Sequence, residues 1–182
     1  MSYLKSLPAE TTLLQVFQAN PGPARHLLAF HEELLRGDSP FTPGERELIA
    51  AYVSGVNDCG YCHGIHTVTA EAFGVEAGLL GAALDDLDSA PIDERLKPVL
   101  AYVGKLTRTP SRMTGADAEA VFAAGWDERA LHDAVLVCAL FNFMNRMVDG
   151  LGIQADDAYK KLSGERLKHS GYGGLAQLLP EA

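Results

Sequence analysis

The strongest constraint on the fold is a helix start and a helix stop that bracket a very short turn. Thr42-Pro43-Gly44-Glu45 reads as a capping box, with Thr at the N-cap, Pro at the first helical position and Glu at the third. Leu48, Ile49, Tyr52, Val53 and Val56 follow at helical spacing. Asn57-Asp58 ends that helix and can cap another. The next runs from about Cys59 to Phe73, with Gly74 as its C-cap. Two helices joined by so little chain fold back on each other.

The rest of the chain carries the same period. Leu13 to Gln18, Pro23 to Arg36, Val75 to Leu84, Ile92 to Leu106 and Asp156 to Leu162 are helix candidates. Thr114 with Asp117 marks a helix start, and Asp127 opens the longest candidate, Glu128 to about Val148, stopped by Asp149-Gly150. Pro98 is expected within the Ile92 helix or at a kink in it. Alternating patterns are short and lack hairpin signals, so no strand is predicted and the fold class is all-α. Neither a repeat nor a Ser/Pro-rich linker divides residues 1–182, which predicts a single all-helical domain. Gly164, Gly171, Gly173 and Gly174 predict a loose tail from about Ser163.

Composition narrows the function classes. The formal net charge of −9 over 182 residues disfavours nucleic acid and anionic membranes as partners, since both repel an acidic surface. The longest apolar run, Ala134 to Met144, is well short of a span and contains Asn142. The opening residues show no basic segment followed by an apolar one, so no secretory leader is expected and the setting is read as cytoplasmic. Three cysteines are too few, and odd in number, for a disulfide scaffold.

Two of those cysteines carry the chemistry of interest. Glu47 is followed by Cys59, Cys62 and His66, with gaps of eleven, two and three residues. On one helix, Cys59, Cys62 and His66 share a face. A helix N-terminus favours a thiolate, which predicts a lowered pKa at this pair. His66, one turn beyond Cys62, is placed as base or charge partner; Glu47, on the preceding helix, can orient the imidazole or relay its proton. A zinc site competes, but Cys59 and His66 stand ~10 Å apart along an ideal helix and no second ligand pair completes a tetrahedral set. A thioredoxin-like motif needs a strand before the cysteines, and none is predicted. A pair of inert buried thiols is the remaining alternative.

At these residues the chain resembles the AhpD-like (alkyl hydroperoxide reductase D) branch of the carboxymuconolactone decarboxylase superfamily. The match is Glu47, Cys59, Cys62 and His66 at the family spacing, over a core of about residues 23–106, with 107–182 forming C-terminal helices and the Gly-rich tail. Asn145-Arg146-Met147-Val148-Asp149-Gly150-Leu151-Gly152 resembles a stretch of its peroxidase-related members. The resemblance implies an AhpD-like helical bundle and a peroxidase. Cys62 would attack the peroxide, Cys59 would resolve the sulfenic acid to a disulfide, and His66 with Glu47 would form the proton relay. It also implies a lipoyl or thioredoxin-like dithiol reductant and a homo-oligomer, with no bound cofactor or metal. Where the family often has His before the second cysteine, this chain has Tyr61, and His63 follows instead. Tyr61 cannot be the same proton donor. Cys59, nearer the helix start, is expected to be the more exposed thiol and to meet the reductant. The alternatives are a non-enzymatic redox-sensing or assembly protein of the same fold, or a decarboxylase-type lyase.

Other residues have plainer readings. Cys138, in an apolar run, reads as a buried structural thiol. His26, His31, His132 and His169 have no partner pattern and read as surface or satisfied core groups. Phe141, Phe143, Met144 and Met147 read as core or subunit packing, with pocket lining as the lesser option. Asn145, Arg146 and Asp149 read as structural bonds or interface, and Trp126 as an anchor near a helix start.

Overall fold

The structure is a computed structural model that describes residues 2–181. Among the described residues there are nine α-helices and no strand. They are α1 (Leu13–Ala19), α2 (Pro21–Arg36), α3 (Pro43–Val56), α4 (Gly60–Ala72), α5 (Leu79–Asp85), α6 (Leu96–Arg108), α7 (Gly115–Ala123), α8 (Glu128–Gly150) and α9 (Asp157–Ala176).

The all-α expectation holds, and the local signals explain most boundaries. Thr42 caps α3 reciprocally with Glu45, Thr114 pairs with Asp117 at α7, and Asp127 accepts the Ala130 N–H at α8. Every residue of α3 from Arg46 to Ser54 is buried, as expected of a central helix wrapped on all sides. α4, α8, α6 and α5 pack around it, and α9 lies across α4 and α2. One contiguous apolar core joins these helices.

Three boundaries differ from expectation. α5 begins at Leu79 rather than Val75, after a turn. α6 begins at Leu96 rather than Ile92, because the Asp93 carboxylate accepts the Arg95 N–H at 2.9 Å and holds the chain in a turn. Pro98 therefore falls in the first turn of α6, where its missing N–H breaks no helical bond, and it makes no kink.

The third difference is the largest. In place of a loose tail from Ser163, α9 continues to Ala176. A Cβ on Gly164 would come within 2.6 Å of Val68 Cγ1, so this glycine marks a close approach of α9 to α4. Gly171 kinks the helix at φ 59°, and the next two backbone N–H groups donate to the Glu32 carboxylate of α2, at 2.6 Å from Tyr172 and 2.8 Å from Gly173.

Candidate functional site

The turn between α3 and α4 sets the cysteines in place. The Asp58 N–H donates to the Gly55 carbonyl and the Cys59 N–H to the Ser54 carbonyl, both at 3.0 Å, with Asp58 left-handed at φ 57°. This is a Schellman stop, and it delivers Cys59 as the N-cap of α4. Cys62 and His66 follow one and two turns along α4, and Glu47 faces them from α3.

Glu47 is fully buried and lies at the centre of the polar cluster. Its Oε2 accepts from His66 Nδ1 at 2.6 Å. Its Oε1 accepts from Arg36 Nη2 at 2.6 Å and from the Tyr172 hydroxyl at 3.1 Å. Burial alone would raise its pKa, but His66 and Arg36 outweigh it and hold the carboxyl below its ordinary value. The Glu47 bond fixes the His66 tautomer, with the proton on Nδ1 and Nε2 left as acceptor. The imidazole packs against the Phe141 ring at 4.5 Å, nearly perpendicular.

Both thiols are free and buried, Cys59 at 0% and Cys62 at 2% exposure. Cys59 is thus not the exposed member of the pair. The two thiols perturb each other. The Cys62 side chain lowers the Cys59 pKa, against burial and Asp149. The Cys59 side chain raises the Cys62 pKa well above the ordinary thiol value, and burial adds to the rise, while the Asn145 amide opposes it. The expected lowering at the helix start is therefore found at Cys59 and reversed at Cys62.

Asn145 from α8 joins these groups to the scaffold. Its Nδ2 donates to Ser54 Oγ at 3.0 Å, and its Oδ1 accepts from Asn57 Nδ2 at 2.8 Å. Arg146 faces outward and bonds back to Asn142.

A narrow apolar cleft with a cavity volume of about 60 Å³, open to solvent in part, runs between α1, α2, α4, α8 and α9. Cys62 and His66 line it, and Cys59 does not. Leu28, Phe17, Phe141 and Met144 supply apolar walls. Phe141 and Met144 are thus both core and cleft lining, whereas Phe143 points outward at 53% exposure.

The structure brings all four predicted residues, Glu47, Cys59, Cys62 and His66, into one cluster. It adds Arg36 and Tyr172, which sequence reasoning missed, and Asn145 and His31, which were read as a structural bonding group and a surface or satisfied core histidine. Both of those readings hold, and His31 has a place in the cleft besides. It lines the cleft with Cys62 and His66, and its ring lies 5.0 Å from that of Tyr172. Its Nδ1 bonds to the Leu27 carbonyl at 2.8 Å, and burial lowers its pKa to about 4, so it is neutral at pH 7. Cys138 is buried as expected, against Thr107. Trp126 anchors the chain ahead of α8 by donating to the Arg95 carbonyl at 2.7 Å. Tyr61, at the position of the family histidine, bonds at 3.4 Å to the Tyr159 hydroxyl. Among the described residues no cluster of three His, Cys, Asp or Glu side chains could hold a metal ion, and no helix is long and apolar enough to cross a membrane.

Residues 21–103 match the Carboxymuconolactone decarboxylase family. No curated protein matches the chain. Among solved structures, an uncharacterized peroxidase-related protein from Silicibacter sp. TM1040 is similar at 26% identity and a TM-score of 0.75, over 81% of this chain and 78% of that one. An uncharacterized peroxidase-related protein from Ralstonia eutropha JMP134, described as an alkylhydroperoxidase AhpD core, is similar at 26% identity and a TM-score of 0.75, over 82% and 78%. A protein of unknown function from Agrobacterium tumefaciens shares the fold at 16% identity and a TM-score of 0.67, over 80% and 99%.

Proposed function

Because the chain belongs to the AhpD-like/carboxymuconolactone decarboxylase superfamily, we propose that it is a thiol-dependent hydroperoxide reductase with Cys59 and Cys62 as its dithiol. The observation that carries this reading is that Cys62 and His66 line the same apolar cleft while Glu47 holds the far nitrogen of His66 from behind. A thiol kept above its ordinary pKa is not a resting thiolate, so its nucleophilicity has to be generated as the reaction begins. His66 Nε2 takes the Cys62 proton, and the carboxylate of Glu47 stabilises the imidazolium. The sulfur attacks the terminal peroxide oxygen, the O–O bond breaks, and the alkoxide recovers the proton from His66 and leaves as alcohol. Cys62 is then a sulfenic acid. Cys59 attacks its sulfur, a disulfide forms, and the hydroxyl leaves with the Cys59 proton as water.

Two electrons and two protons from an external dithiol, a lipoyl group or a thioredoxin-like protein, reopen the disulfide. We place the activity in a reducing compartment, where such donors persist. Assembly into homo-oligomers through exposed apolar groups such as Phe143 and Leu162 is part of the same reading.

Consumption of cumene hydroperoxide with dihydrolipoamide as reductant tests the mechanism. Cys62→Ser should abolish turnover, and Cys59→Ser should consume about one equivalent and stop. Unchanged turnover by Cys62→Ser refutes the dithiol reading and is what a lyase of the same fold predicts. A redox switch predicts the disulfide without steady turnover.

A further inference from the structure

Two polar side chains in the cleft wall have buried atoms without partners. Elsewhere in that wall the polar groups are used: His31 on the Leu27 carbonyl, His66 and Tyr172 on Glu47, Tyr61 and Tyr159 on each other. Ser163 and Arg166 of α9 are different. Ser163 is 3% exposed and its hydroxyl makes no hydrogen bond. A serine within a helix ordinarily bonds back to the carbonyl a turn earlier, and this one does not. The Arg166 Nε is also buried without a partner, and among the described residues its guanidinium makes no ion pair. Arg36 and Arg46 have bare Nε atoms too, but both are bonded through their Nη groups. Three residues apart on one helix, Ser163 and Arg166 face the same way, and both line the cleft that Cys62 lines. No Asp or Glu belongs to that lining, so Arg166 is its unneutralised charge.

We infer that Ser163 and Arg166 form an anion-binding end of the cleft, selecting ligands with a carboxylate on an apolar body. The guanidinium matches a carboxylate through paired N–H donors, and the Ser163 hydroxyl supplies a third. Leu167, Leu28 and Phe141 of the same lining supply apolar contacts for the body, and Cys62 shares that lining. In naming the ligand as an acid hydroperoxide, such as an oxidised fatty acid, the inference rests on the reading above; the anion-binding end itself does not.

Calorimetric titration of the reduced full-length chain tests it without turnover. Decanoate should bind at least about tenfold tighter than 1-decanol, the usual scale of one charge-assisted contact. Arg166→Met should erase that preference, and Arg166→Lys should restore part of it. Equal affinities for acid and alcohol in the parent protein overturn the inference whether or not the variants fold. In turnover, the parent should show a lower KM for a fatty acid hydroperoxide than for its methyl ester, and Arg166→Met should bring the two together. A decanoate preference without peroxide turnover supports this site while removing the proposed function. Turnover of acid and ester alike retains that function and removes this site.

Discussion

His31 gives the sharpest physical test of the cleft, because its burial has a calculable consequence. The ring is 3% exposed, faces Phe141 and Tyr172, and has His66 and Glu47 as titratable neighbours. Burial lowers its pKa from 6.5 to about 4. In the unfolded chain it titrates near 6.5, so between those values the unfolded state binds the extra proton. The stability contribution is present above pH ~6.5 and is lost as pH falls toward ~4. The full shift corresponds to roughly 3 kcal/mol, of which about 2.5 kcal/mol is lost by pH ~4.5. Urea denaturation from pH 7.5 to 4.5 reads this directly when the protein is compared with His31→Gln, whose amide can still donate to the Leu27 carbonyl. Other titrating groups act on both proteins and cancel. The variant should lose about 2.5 kcal/mol less than the parent over that range. Parallel losses, within about 0.5 kcal/mol, would mean that His31 is solvated or is charged with a partner, and the dry cleft wall would be wrong.

Glu47→Gln leaves the Arg36 guanidinium without its carboxylate and His66 without its acceptor charge. It should cost about 3–5 kcal/mol in chemical denaturation and slow peroxide reduction about 100-fold or more. Gly171→Ala places a side chain where φ is 59° and ψ is −166° and brings a Cβ to 2.6 Å from Glu32 Oε2. It should cost about 1–3 kcal/mol and lower the thermal midpoint by roughly 2–4 °C for each kcal/mol. An unchanged midpoint would show that the α9 kink is not held by Glu32.

Local chemistry decided which helices could be seen in advance. α3, α7 and α8 have reciprocal or side-chain caps, whose partners are three residues apart, and each of these helices starts where its cap predicts. α9 has no such periodic face. Its glycines satisfy tertiary demands, Gly164 the approach of Val68 and Gly171 a turn pinned by a carboxylate about 140 residues earlier. Neither demand leaves a local trace, so small residues that serve close contact look the same in sequence as small residues in a tail.

The same distinction runs through the site. Cys62 and His66 are one turn apart, and Glu47 is one short turn of chain away, so their meeting follows from the helical period and the α3–α4 stop. Arg36, Tyr172 and Asn145 reach the cluster from other helices. The helix N-terminus predicts a lowered pKa at both thiols; Cys59 is lowered, through its neighbour Cys62, whereas Cys62 is raised, through Cys59 and burial. Both thiols are buried, and Cys59 makes no side-chain capping bond at the start of α4, so their opposite shifts come from the pair itself and from the burial that raises Cys62. Under the proposed mechanism Cys62 becomes reactive when His66, held by Glu47, removes its proton. Selectivity then depends on what the cleft admits, and α9, the helix least legible in the sequence, supplies much of that wall.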